Sequence, residues 1–138
     1  MKCLNTRAKL TIQKLYEAMY DPKYMIEEGI YARIDNNPVY MPVVVEKVGL
    51  LPGYGEIISI AHYGKQNGDA MADPVMEFVI VGSDYYPISY RNDYLCCQQD
   101  VFTLDSEDKP EKINKKLQDH LTAFANYWMK NIAYQQNL

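Results

Sequence analysis

Apolar side chains recur every third or fourth residue at both ends of this chain and every second residue in between. Near the start, LNTRAKLTIQKLYEAMY (4–20) sets Leu4, Ala8, Ile12, Leu15 and Met19 on one side, the spacing that turns one stripe of a helix toward a core. Asn5 or Thr6 can begin the helix by accepting from its free backbone N–H groups. Asp21-Pro22 ends it, because the residue before a proline is pushed out of the helical region. At the other end, Ile113, Leu117, Leu121, Phe124, Trp128 and Ile132 form a second stripe that predicts a helix from about 110 to 134. Ser106 or Asp108 is its expected cap, with Pro110 near the first turn and Glu111 favoured by the helix dipole.

From about 24 to 102 the period shortens to two. YMIEEGIYARI carries Ile30, Ala32 and Ile34 in alternation, and DNNP (35–38) is a turn signal. Tyr40 to Val48 reads as the next strand, with Pro42 at its start or on an edge because it has no N–H for a ladder. LPGYG (51–55) turns the chain into EIISIAHY (56–63), which puts Ile58, Ile60 and His62 on one face. VMEFVIVG (75–82), YYPISY (85–90) and YLCCQQDVF (94–102) supply further strands. Short turns favour an antiparallel meander, since parallel pairing needs crossovers for which there is no room. The expected fold is a single α+β domain over 1–138. Its parts are a curved, mainly antiparallel sheet of five or six strands, a long C-terminal helix packed on it, and the N-terminal helix beside that. Two helices in one layer would leave the other sheet face partly open to solvent or a partner.

Composition adds limits. With 138 residues, 48% hydrophobic and 23% charged, the chain can bury a core without disulfides. Thirteen tyrosines stand against one tryptophan and three phenylalanines; a ring with a polar tip suits half-buried sheet positions and interfaces alike. The net charge of −4 argues against direct nucleic-acid binding, which draws most of its affinity from phosphate contacts. The longest basic cluster, KINKK (112–116), follows DSEDKPE directly, so its field is locally offset. Cys3, Cys96 and Cys97 make neither a disulfide framework nor a zinc spacing, and neighbours on a strand point to opposite faces. The first residues lack the apolar core of a secretory leader, and no run is long enough to span a membrane. Cytoplasm is the expected location, and no cofactor is expected.

The candidate chemistry sits in HYGKQNGDAMADP (62–74) and around RND (91–93). Asn67-Gly68 is a strong two-residue hairpin signal, because both residues tolerate positive φ. Lys65, Gln66, Asp69 and Ala70 would continue the ladder, and Asp73-Pro74 implies a bend or bulge. The same stretch has oxygen donors in Asn67, Asp69 and Asp73. It lacks the glycine and the bidentate glutamate of the helix-loop-helix calcium motif, so no metal is assigned. His62 could serve as a base if Asp69 or Asp93 oriented its ring; its phase with Ile58 and Ile60 equally suits a half-buried hydrogen-bonding residue. Arg91, Asn92 and Asp93 occupy a predicted turn, where a guanidinium beside a carboxylate holds a loop or meets an anion. No base is specified for Cys96 or Cys97 as a nucleophile. The candidate ligand or loop cluster is therefore His62, Gln66, Asn67, Asp69, Asp73, Arg91, Asn92 and Asp93, converging if their strands end on the same side of the sheet.

No motif here assigns a reaction. The functional expectation is a small non-catalytic accessory or adaptor protein that binds a protein partner, or a second copy of itself, through a tyrosine-rich sheet face. The alternative is an enzyme or small polar-ligand-binding protein built on the His/Asp/Arg cluster. AHYGKQNGDAMADPVMEF (61–78) and YYPISYRNDYLCCQQDVF (85–102) resemble the central signature of the bacterial domain family DUF6908. The resemblance rests on His62-Tyr63, Gln66 to Asp69, Asp73 to Phe78, Tyr86-Pro87 and Asn92 to Tyr94, with Cys96 where the family pattern has a glycine. It covers the middle third strongly and the terminal helices weakly. It implies a bacterial setting, often near plasmid, phage or conjugative-element genes, and no activity.

Overall fold

The computed structural model describes all residues, Met1–Leu138. Helix α1 spans Thr6–Ala18, with the Asn5 side chain accepting from Ala8 N as its N-cap. Leu4, Ala8, Ile12, Leu15 and Met19 are all buried, as their spacing predicts. Strands β1 (Met25–Glu27), β2 (Tyr31–Ile34), β3 (Val43–Leu51), β4 (Gly55–Gln66), β5 (Asp69–Val81), β6 (Asp84–Asn92) and β7 (Cys97–Asp100) follow. They pair in chain order, every pair antiparallel, into one seven-stranded sheet. Strands β8 (Phe102–Leu104) and β9 (Pro110–Ile113) form a separate antiparallel hairpin, and helix α2 (Lys115–Gln135) closes the chain.

The α+β class, the two helices and the antiparallel meander stand, but the expected curved sheet of five or six strands does not. There are nine strands in two sheets, and the large sheet is neither closed nor curled: β1 and β7 are its free edges. The difference comes from strands of three or four residues, too short to carry a readable alternation. Residues 94–102, expected to form one strand, break at Val101, whose N–H bonds to Ile88 O and whose carbonyl accepts from Asn114 N. That pivot turns the chain out of the sheet and into the hairpin.

The start of the last helix also moves. DSEDKPE is the turn of the β8–β9 hairpin: Asp105 Oδ1 accepts from Glu107 N at 2.8 Å and from Lys109 N at 2.9 Å. Local side-chain bonds of this kind compete with helix formation. Ile113 pairs with Phe102 across the hairpin instead of joining the helical stripe. Asn114 caps α2, its side chain accepting from Leu117 N. Strand β3 likewise begins at Val43, just past Pro42.

Both helices pack on one face of the sheet. Ala32, Val45, Ile60 and Met76 lie side by side in the ladder and are fully buried beneath them. Next to Met76 in the row, Tyr90 meets Phe124 of α2 edge to face at 5.5 Å. From α2 the core takes Leu121, Ala125, Trp128, Met129 and Ile132. Each fully buried Leu or Ile contributes about 1.5–3 kcal/mol before conformational entropy is set against it.

The opposite face carries two rows, read directly from the register. One is Tyr31, Glu46, Ser59, Glu77, Ser89 and Asp100; the other is Arg33, Val44, Ala61, Val75, Arg91 and Gln98. Phe102 and Leu104 of the hairpin share a cavity of about 370 Å³ with Leu51, Ile57, Glu77 and Ser89 at one end of this face. The other end, around Tyr31, Arg33 and Tyr63, is covered by neither helix nor hairpin.

Candidate functional site

The hairpin of β4 and β5 explains most of HYGKQNGDAMADP. Gln66 faces Asp69 across a two-residue turn, with Asn67 at φ 54° and Gly68 at φ 84°. Positive φ at both positions is what a type I′ turn requires, and asparagine and glycine meet it at least cost. Gln66, Asn67 and Asp69 are exposed at this tip. Lower down, Ala61 pairs with Val75 and Tyr63 with Ala72, so two steps on β4 match three on β5. The extra residue falls at Asp73-Pro74, as a bulge opposite His62.

His62 is 7% exposed and points toward α2, its ring 5.5 Å from that of Trp128 in an edge-to-face arrangement. Its Nδ1 lies 3.0 Å from Pro42 O. A carbonyl can only accept, so Nδ1 carries the proton and, in the neutral ring, Nε2 is left as a bare acceptor. Burial pushes the His62 pKa down, against smaller upward pulls from the Pro42 carbonyl and the Asp73 charge. Burial thus favours the neutral ring, in the tautomer that the Pro42 carbonyl sets.

Consecutive residues on a strand alternate faces, and this divides the remaining candidates. Asn92, buried, donates from Nδ2 to Asp73 Oδ1 at 3.4 Å and accepts from Leu95 N at 3.2 Å. Arg91 turns the other way, beside Val75 on the helix-free face. It grips Asp93 with two bonds, Nε to Oδ1 at 2.9 Å and Nη2 to Oδ2 at 3.1 Å. Asp93 also ties back to β5, accepting from Ala72 N at 2.8 Å while its own N–H donates to Ala72 O at 2.9 Å. The Arg91 guanidinium, and then the Ala72 N–H, hold the Asp93 carboxyl below its usual range.

The eight candidates therefore fall into three groups. His62 and Asp73, with Asn92 holding Asp73, share the helix side at the base of the hairpin. Arg91 and Asp93 form a bidentate clamp at the end of β6, associated with the helix-free face. Gln66, Asn67 and Asp69 stand at the tip. No group of three or more His, Cys, Asp or Glu side chains is placed to hold a metal ion.

Three places carry no signal in the local sequence pattern. One is a cavity of about 420 Å³ in which His62 and Asp73 meet Tyr40, Trp128, Asn131 and Gln135. Asn131 and Gln135 lie three and seven residues after Trp128, a spacing that keeps them on one side of α2; only the docking of that helix brings them to the hairpin. Another is a groove of about 470 Å³ on the helix-free face, lined by Tyr31, Arg33, Val44, Glu46, Tyr63 and Lys65 among others. Burial, and then the Glu46 carboxylate, push the Tyr63 phenol up. A third cluster is a local clamp: Lys47 Nζ donates to Tyr20 Oη at 2.7 Å and lies over the Tyr16 and Tyr20 rings at 5.2 and 5.1 Å. The bond to Tyr20 is the main reason its ammonium is pushed up to about 12.

A family described as a domain of unknown function (DUF6908) matches residues 11–138. No curated protein and no solved structure matches the chain. No helix is long and apolar enough to cross a membrane.

Proposed function

Given that the chain belongs to the DUF6908 family, which brings no activity with it, we propose that it is a small non-catalytic accessory or adaptor protein. It acts by protein–protein contacts on the helix-free face of the sheet. The observation that carries this reading is the groove around Tyr31, Arg33, Val44, Glu46 and Tyr63, on the part of that face which neither helix nor hairpin covers. Tyrosine and arginine are the side chains that most often dominate binding at protein interfaces, given apolar area and a polar tip on one rigid group. Tyr63 is 43% exposed above a sheet whose neighbouring positions, Val44 and Ala61, are buried. The tyrosines as a set divide: Tyr85 is buried and Tyr90 packs on Phe124, while Tyr31 and Tyr63 line the groove. The interface narrows accordingly to the end of the face near the β4–β5 hairpin.

The proposal includes a bacterial setting linked to mobile elements, which the family resemblance implies, and a cytoplasmic location. A photo-crosslinking residue in place of Tyr63, compared with one in place of Tyr134 on the outer side of α2, tests the reading in the source cell. The expected result is a discrete adduct, with another protein or a second copy, from position 63 alone. Identical adducts from both positions, together with a strict monomer by light scattering, would overturn it.

A further inference from the structure

The cavity at the base of the hairpin is independent of the groove, on the other face of the sheet. Three features of it point to a ligand. First, His62 is more than nine-tenths buried, yet its Nε2 accepts no hydrogen bond from the protein. Every fully enclosed side-chain nitrogen or oxygen in the molecule has a partner, so Nε2 opens onto the cavity that the ring lines. An acceptor so placed is satisfied by water or by a ligand that carries a donor. Second, Asp73 is the only charged group lining the space, with no lysine or arginine beside it. Asn92 occupies Oδ1 of that carboxylate and holds it in place. Third, Asn131, Gln135 and Tyr40 line the space with polar groups that can accept as well as donate, and Trp128 adds an aromatic wall. Acceptors, one negative charge and an aromatic ring are complementary to a cation that carries several N–H donors. The volume, about 420 Å³, is in the range of small-molecule sites.

We propose that this cavity binds an organic cation of the alkylammonium or guanidinium class. Asp73 is the counter-charge, and His62 Nε2 is the acceptor that selects an N–H over a methyl group. The cation is either a free small amine or a lysine or arginine side chain of another protein; the recognition chemistry is the same for both.

Trp128 is the only tryptophan in the chain, so its fluorescence reports on this cavity. The intact protein is titrated with agmatine, n-butylamine and the peptide acetyl-Gly-Arg-Gly-amide, with n-butanol as the uncharged control. A saturable change with one of the cations and none with butanol is expected. Tighter binding of agmatine or butylamine marks a free amine; tighter binding of the peptide marks a side chain from a partner. Asp73→Asn should weaken binding roughly tenfold or more, the loss expected for a charge-assisted hydrogen bond. Asn131→Asp, at a partly exposed helix position, adds a second negative charge and should tighten it, which keeps the test decisive if Asp73→Asn does not fold. No saturable change with any cation up to about 10 mM, an equal response to butanol, or affinity unmoved in Asn131→Asp would overturn the proposal.

Discussion

At the residue scale, His62 shows how one side chain serves the core and a cavity together. Its phase with Ile58 and Ile60 predicts an inward position, and the structure puts it against Trp128 with Nδ1 on the Pro42 carbonyl. Neither partner is visible from the chain around His62, because one lies on α2 and the other before β3. Burial lowers its pKa in the folded state, below the unfolded value of about 6.5. As pH falls, the unfolded chain takes up this proton first. The stability tied to neutral His62 is therefore complete above that unfolded value and is lost as pH drops through the folded one. Urea melts across this range should show a smaller acid loss in His62→Gln than in the parent protein. Equal pH dependence would show that the ring accepts its proton without cost. The Arg91–Asp93 clamp, by contrast, was legible from the side-chain types alone, since a guanidinium two residues from a carboxylate can close on itself.

Between residues and the whole lie the elements. Periodicity located both helices because a helix of three or more turns repeats its apolar step several times. It misplaced the start of α2, because Ile113 falls in register with Leu117 and Leu121 by coincidence of spacing, while its partner Phe102 is remote from any local pattern. Within α2 the stripe is also shifted: Leu121, Ala125, Trp128, Met129 and Ile132 face the core, and Phe124 is 37% exposed at its margin. Leu121→Ala should cost about 2–5 kcal/mol, as for other buried leucines. Phe124→Ala should cost less, about 0.5–1.5 kcal/mol for the aromatic contact with Tyr90, with the partly buried area of its ring added to that. Paired urea melts measure both. A larger loss for Phe124 than for Leu121 would mean the helix is rotated from the position described.

For the molecule as a whole, two buried glutamines, one in α2 and one at its C-cap, join segments far apart in the sequence. Gln118 accepts from Lys2 N at 2.7 Å and donates to Lys2 O at 2.7 Å, holding the first residues as a strand partner would. Gln136, the C-cap of α2, accepts from Asn36 N at 2.7 Å and donates to Met41 O at 3.1 Å, fastening the end of the helix to the β2–β3 connection. Gln136→Leu would leave those two backbone groups without partners, a loss of about 1–3 kcal/mol for each one that water does not reach. A urea midpoint unchanged in Gln136→Leu would show that water satisfies them. Local pattern alone determined the antiparallel meander between two helices, the buried face of α1, the Asn67-Gly68 turn and the bulge at Asp73-Pro74. Each of these depends on the steric and hydrogen-bonding preferences of residues within a few positions of one another. Only the tertiary structure decided the nine strands, the hairpin that ends at Asn114, the separation of Arg91 from His62, and the meeting of His62 and Asp73 with Trp128. Those depend on contacts between residues tens of positions apart, whose free energy comes from burying surfaces together and leaves no periodic trace in the chain.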